Sequence, residues 1–231
     1  MKKKNIILVC VALIITISGC STTSYNTNSG HDNSTKIAES TPKIKFEKLG
    51  IAKFADAEKY ELEPYFGLAN QCVKAYYNAK ARTNSKNVIR FPSFPYPLTD
   101  SVKKYLQYKY QYETISVNQF DNYEIITNEN YTVTEWKIIG DSLVCSVEAS
   151  LNYQNSKTYD LSGITETVQV IVNNPRNPIL SDWFVPATGT FDSAVRGYKS
   201  DLYDKEIWLE NQDVDAIFKK CQTKLNAIQP Y

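Results

Sequence analysis

The chain has 231 residues, 42% hydrophobic and 13% aromatic, with 26 basic and 25 acidic side chains and a net charge near +1. That balance leaves no basic excess to neutralise a phosphate backbone, so nucleic acid is not an expected partner; the length and apolar content suit one domain with its own core. The single histidine, His31, and eight scattered glycines give no material for a Ser-His-Asp or Cys-His site, a histidine zinc centre or a phosphate-cradling loop.

The amino terminus reads first as a targeting segment. Lys2, Lys3 and Lys4 precede the uncharged run Ile6 to Ile17, "IILVCVALIITI". A basic stretch followed by a short apolar one is the layout of a secretory signal, and the run falls short of the roughly 20 apolar residues of a spanning helix. It ends Ile17-Ser18-Gly19-Cys20. These four residues resemble the lipobox of bacterial lipoproteins, an aliphatic residue and two small ones before a cysteine, with Ile17 in place of the commoner leucine. The resemblance implies a signal peptide over 1–19, cleavage between Gly19 and Cys20, and a diacylglycerol on the Cys20 thiol. It places the mature protein on the extracytoplasmic side of the cell membrane, with membrane lipid as its partner. Two or three acyl chains hold firmly where one binds marginally, at about 0.8 kcal/mol per buried methylene. Loss of residues 1–19 removes three lysines and no acid, so the mature chain is slightly acidic.

Residues 20–44 carry the lipidated cysteine and a tract rich in Ser, Thr, Asn and Gly, "STTSYNTNSGHDNSTK" over 21–36. Such a composition cannot bury enough surface to offset its ordering entropy, so it reads as a tether with a reach of about 25–30 Å. A single domain is expected over 45–231. Residues 44–63 are ambiguous. A helix is predicted from Pro64, a favoured first-turn residue, to about 81–84. There Tyr65, Leu68, Ala69, Cys72, Val73, Tyr76 and Ala79 recur at helical spacing. The prolines of "FPSFPYP", 91–97, force extended geometry. The segment formally matches a PxxP ligand and reads better as an aromatic connector packed across the domain. Thr99 then looks like an N-cap, and Val102, Tyr105, Leu106 and Tyr110 give a second helix to about Tyr112.

From Tyr123 the period changes to two. "YEIIT" and "YTVTEWKIIG" read as strands separated by "NEN", and Gly140-Asp141 as a hairpin turn. In the next strand Leu143, Cys145, Val147, Ala149 and Leu151 face one side and Val144, Ser146, Glu148, Ser150 and Asn152 the other, the pattern of one buried face. A polar loop at 152–163, a strand at 164–173, a turn at "NPRNP" and the strand "ILSDWFVPA" follow. After a loop over 189–205, Val214, Ile217, Phe218, Cys221, Leu225 and Ile228 predict a last amphipathic helix at about 211–228. Cys72, Cys145 and Cys221 each fall on an apolar face. They are either three buried thiols or one disulfide and a free thiol, and spacing does not choose.

Helices followed by a strand meander, with no βαβ alternation, give the α+β class. The element order and lengths over about 64–188 resemble the NTF2-like fold, in which a bent antiparallel sheet wraps an N-terminal helical hairpin into a cone; the C-terminal helix would be an addition. A cystatin-like sheet domain is the alternative. Lipid attachment at Cys20 is the one site assigned; no residue is assigned as catalytic or metal-binding, and no cofactor is expected. The expected function is a membrane-anchored, non-catalytic binding or assembly module for an envelope protein or a small apolar ligand. The NTF2-like resemblance also implies an alternative, a small-molecule enzyme of isomerase or dehydratase type that uses a pocket carboxylate and a tyrosine. Its strand acids would be Glu148, on the polar face, or Asp182, which alternation puts on the side of Leu180 and Phe184.

Overall fold

The computed structural model describes residues 50–84, 91–118, 124–155, 161–197 and 201–228; the expected signal segment, Cys20 and the expected tether lie outside the described residues. The elements are α1 (Lys59–Asn84), α2 (Asp100–Asn118), β1 (Glu124–Ile139), β2 (Ser142–Asn155), β3 (Leu161–Asn173), β4 (Ile179–Phe184), α3 (Phe191–Arg196) and α4 (Val214–Asn226). The four strands form one antiparallel sheet in the order β1-β2-β3-β4. The class is α+β, as expected. Among the described residues no helix is long and apolar enough to cross a membrane.

α1 buries Leu62, Tyr65, Leu68, Ala69, Cys72, Val73, Tyr76 and Tyr77 along one stripe. It begins five residues before Pro64, which corrects the expected start. The reason lies in Glu61, whose carboxylate accepts the Glu58 backbone N–H at 2.8 Å. That is the reciprocal half of a capping box, made here without the Ser or Thr that signals one. α2 opens as expected, with Thr99 Oγ1 accepting from the Val102 N–H at 3.4 Å. It runs six residues past Tyr112, carried by the Lys109–Glu113 pair one turn apart at 2.7 Å.

β1 is one strand, and "NEN" lies inside it. Thr127 and Thr134 each have no partner residue on β2, so the register shifts by one at both places. Their hydroxyls bond to the carbonyls of Asn152 (3.2 Å) and Ser146 (3.4 Å). Two such bulges bend the strand and reverse its alternation. The face toward the helices is therefore Ile126, then Glu129, Tyr131 and Val133, then Trp136 and Ile138. The β1–β2 turn is Gly140-Asp141, with Gly140 at φ 62°, the glycine position of a two-residue hairpin. Asp141 Oδ1 accepts the Phe54 N–H at 2.9 Å.

Leu143, Cys145, Val147, Ala149 and Leu151 of β2 are buried against α1 and α2, as their alternation predicts. The opposite face is not uniformly solvated. At the hairpin end Val144, Ile171 and Phe184 form a second cluster with Leu202 and Trp208, because residues 201–211 cross over that face. Gln169, buried there, accepts the Leu202 N–H and donates to Asp201, both at 2.8 Å. β2 and β3 reach 155 and 161, so much of the loop expected at 152–163 is strand. β4 pairs only with Gln169–Asn173, which leaves the distal half of the sheet three strands wide.

Ser181 is a third bulge, its hydroxyl bonded to the Ile171 carbonyl at 3.4 Å. It puts Leu180 and Trp183 on the core face and Asp182 with Phe184 on the other, so Asp182 and Leu180 do not share a side. The outer edge of β4 is met by the 91–99 connector. Leu180 N donates to Pro97 O and Thr99 N to Leu180 O, both at 3.0 Å, while Phe94 packs on Trp183 and Phe91 on Tyr110.

The loop expected at 189–205 contains α3, capped by Thr190 Oγ1, which accepts the Ser193 N–H at 3.1 Å. α4 is shorter than the expected 211–228, because Asp213 caps it by accepting the Ala216 N–H at 3.0 Å. It buries Ile217, Cys221 and Leu225, and Phe218 lies against Tyr108 of α2. Cys72, Cys145 and Cys221 are buried free thiols.

Candidate functional site

Two polar clusters stand out, one closed and one open. The closed one begins at Asp192, fully buried on α3. It accepts from Lys109 Nζ at 2.8 Å, from the Val185 N–H at 3.0 Å and from the Tyr105 hydroxyl. Lys109 also pairs with Glu113, which accepts from Lys80 Nζ at 3.1 Å and the Tyr76 hydroxyl at 3.0 Å. Burial alone would lower the Lys109 pKa and raise that of Glu113. The neighbouring charges outweigh it, so Lys109 is held above its ordinary value and Glu113 is pulled down to about 2. Burial, then the adjacent carboxylates, hold the Tyr76 and Tyr105 phenols protonated.

The Tyr105 ring leads on to Arg196, whose guanidinium carbon lies 5.5 Å from the ring centre. Arg196 forks onto Asp182 at 2.8 and 2.9 Å and donates to the carbonyls of Trp183 (3.0 Å) and Ile207 (2.6 Å). Asp182 in turn accepts the backbone N–H groups of Trp183 and Leu209, both at 2.7 Å. Carboxylates and cations thus alternate from Glu113 to Asp182. The arrangement clamps α3 and the 201–209 crossover onto the sheet and α2, and the buried carboxylates have their bonding positions filled from within the protein.

The open cluster lies on the core face at the distal, three-stranded end. Tyr131, Ala149 and Glu166 form one row across β1, β2 and β3; Glu129, Leu151 and Ile164 form the next row out. The Tyr77 ring, from α1, stands 6.4 Å from Tyr131, and its hydroxyl donates to Glu166. Tyr131 donates to Glu129 at 3.0 Å, and Lys74 pairs with the other oxygen of Glu129 at 2.7 Å. Burial would raise the Glu129 pKa, but the bonds from Lys74 and Tyr131 lower it; burial and then Glu129 raise Tyr131. Tyr153, buried on the same face of β2, forms the following row with Ile126 and Ser162. Ile164 is 44% exposed although it lies directly across from the buried Leu151, because among the described residues no fourth strand flanks it. Carboxylates, phenols and an exposed apolar side chain therefore meet where solvent reaches the core face.

The strand acids anticipated from sequence do not take part. Glu148 lies half-buried on the other face of β2, and Asp182 is committed to Arg196. The residues brought together instead are Glu129 and Glu166 with Tyr77, Tyr131 and Tyr153. Glu166 carried a usable signal, since it keeps the parity of Val168, Val170 and Val172. Glu129 did not, because the bulge at Thr127 sets its side. Among the described residues no cluster of His, Cys, Asp and Glu could hold a metal ion.

A scan of protein-family models, a search of curated proteins and a search of solved structures each found no match to the chain.

Proposed function

We propose that the protein is a lipid-anchored, extracytoplasmic binding module built on an NTF2-like cone, with its ligand site at the open acid–tyrosine patch. The anchor rests on the Ile17-Ser18-Gly19-Cys20 lipobox and the polar tract that follows it. The cone reading is supported by two long helices ahead of a four-stranded meander and by the bulges that bend β1 over them. The observation that carries the binding site is the contrast in exposure. The buried pairs Asp192–Lys109 and Asp182–Arg196 are sealed and balanced, while at the distal end Tyr131, Glu129 and Glu166 are partly exposed beside Ile164, with Tyr77 and Tyr153 buried behind them.

The anchor is tested by Cys20→Ala, which removes acyl labelling and moves the protein from the membrane to the soluble fraction; unchanged labelling refutes it. The site is tested by screening small ligands for a rise in Tm of the full chain, since a ligand stabilises by RT ln(1 + [L]/Kd). A stabilising ligand whose effect survives Tyr131→Ala binds elsewhere, and the site assignment then fails.

A further inference from the structure

We infer that the outer edge of β1 pairs with the same edge of a second copy of this chain, antiparallel about a two-fold axis at Trp136. The inference is independent of the lipid anchor and of the acid–tyrosine patch.

The two edges of the sheet differ. The outer edge of β4 is closed by the 91–99 connector, through Pro97 and Thr99. β1, 16 residues long, forms the other edge, and among the described residues no segment outside β2 makes a backbone bond to it. A bare edge presents a row of unpaired N–H and C=O groups, a template for another strand. The bulge at Thr134 leaves the run from Glu135 to Ile139 regular as far as the hairpin. Because the turn has two residues, Ile139 and Ser142 are its closing hydrogen-bonded pair. Alternation then turns the backbone N–H and C=O groups of Trp136 and Ile138 outward.

Charge selects the occupant and the register. Glu135 and Lys137 flank Trp136, are exposed, and make no ion pair among the described residues. With Trp136 on the axis, Glu135 of one copy lies opposite Lys137 of the other, and the reverse holds on the far side of the axis. Two cross-strand pairs of opposite charge result. An axis moved one residue, to Glu135 or to Lys137, sets two glutamates or two lysines face to face, which is destabilising. On the core side the half-buried Trp136 meets its own counterpart, and Phe66 of α1 lies 5.7 Å from it. Aromatic cross-strand pairs favour such a join. Gly67 follows Phe66, and a Cβ there would meet nothing within 4 Å, so the space beside these rings is open.

The test is the molar mass of the full chain in maltoside micelles, read by light scattering with the detergent subtracted. The protein mass should double across the micromolar range, as a short interface implies. Glu135→Lys and Lys137→Glu each put like charges opposite one another on both sides of the axis. Each should weaken the dimer at least about tenfold, with Tm close to that of the parent because both side chains are exposed. Mixed together, the two variants should dimerise with each other, since every facing pair is then opposite in charge. Both substitutions in one chain should restore the homodimer. A parent that stays monomeric throughout overturns the pairing, and shows the edge to be free or taken by something other than a second copy. A dimer that neither reversal weakens, or reversals that fail to rescue one another, overturns it as well.

Discussion

Replacing Arg196 with methionine keeps the length of the side chain and removes its charge and its donors. Asp182, 1% exposed, then keeps the N–H groups of Trp183 and Leu209 but has no cation, and the carbonyls of Trp183 and Ile207 lose their partner. The stacking of the guanidinium on Phe184, at 5.2 Å, is lost as well. Removing one member of a buried ion pair costs about 3–5 kcal/mol, a third or more of the stability of many domains. At about 2–4 °C per kcal/mol for a domain of this size, Tm should fall on the order of 10 °C. Urea unfolding followed by tryptophan fluorescence reads the change, since Trp183 adjoins the pair and Trp208 is fixed by its indole N–H to the Leu202 carbonyl at 2.7 Å. The double variant Asp182→Asn, Arg196→Met should recover part of the loss, because no uncompensated carboxylate remains. A single variant within about 1 kcal/mol of the parent, or a double variant less stable than the two single effects summed, would refute the clamp.

Two further outcomes follow from the buried titratable groups. Glu113 has its pKa lowered to about 2 in the folded chain, below its unfolded value, so its stabilisation is present above the unfolded pKa and is lost as pH falls from about 4.5 toward 2. The loss amounts to about 3 kcal/mol; Glu113→Gln should flatten that acid limb in a stability–pH profile, and an unchanged limb would contradict the assignment to Glu113. Burial pushes the thiols of Cys72 and Cys221 up to about 12 and raises that of Cys145, so the native protein, in the mature lipidated form proposed above, should consume no thiol reagent at pH 8. Three thiols per chain should react once it is unfolded, and fast native labelling of any of them would break the burial argument.

The main core was legible because its period is clean. The β2 residues Leu143 to Leu151 and the α1 stripe from Leu62 to Tyr77 read directly as buried faces. Where reading failed, a device without local signature intervened. Bulges at Thr127, Thr134 and Ser181 each flip the alternation downstream, so "NEN" looked like a break and Asp182 seemed to share a face with Leu180. α3 was hidden because it is six residues long and depends on Thr190 as its cap and on the Asp192 bonds to Lys109, Tyr105 and Val185, which join segments more than 80 residues apart in two of three cases. The second buried face of the sheet was invisible for the same reason, since a polar-looking crossover, 201–211, covers it through Leu202, Trp208 and the side-chain bonds of Gln169.

The two ends of the sheet also differ in a way that bears on what the domain can do. At the hairpin end both faces are covered, the fourth strand is present, and buried carboxylates are neutralised by Lys109 and Arg196. Rearranging that end would strand an unpaired charge, which favours a single rigid geometry over motion. At the distal end the sheet narrows to three strands, and its core face carries Tyr131, Glu129, Glu166 and Ile164 to solvent. A rigid frame at one end fixes the backbone positions of those side chains at the other, so a ligand there does not have to order them on arrival. Tyr131 and Tyr77 would lose little rotamer freedom to such a ligand, being already held by Glu129 and Glu166. On the proposed reading the same bonds bias the patch against a ligand that needs donors, because the phenolic hydrogens of Tyr77 and Tyr131 are already taken.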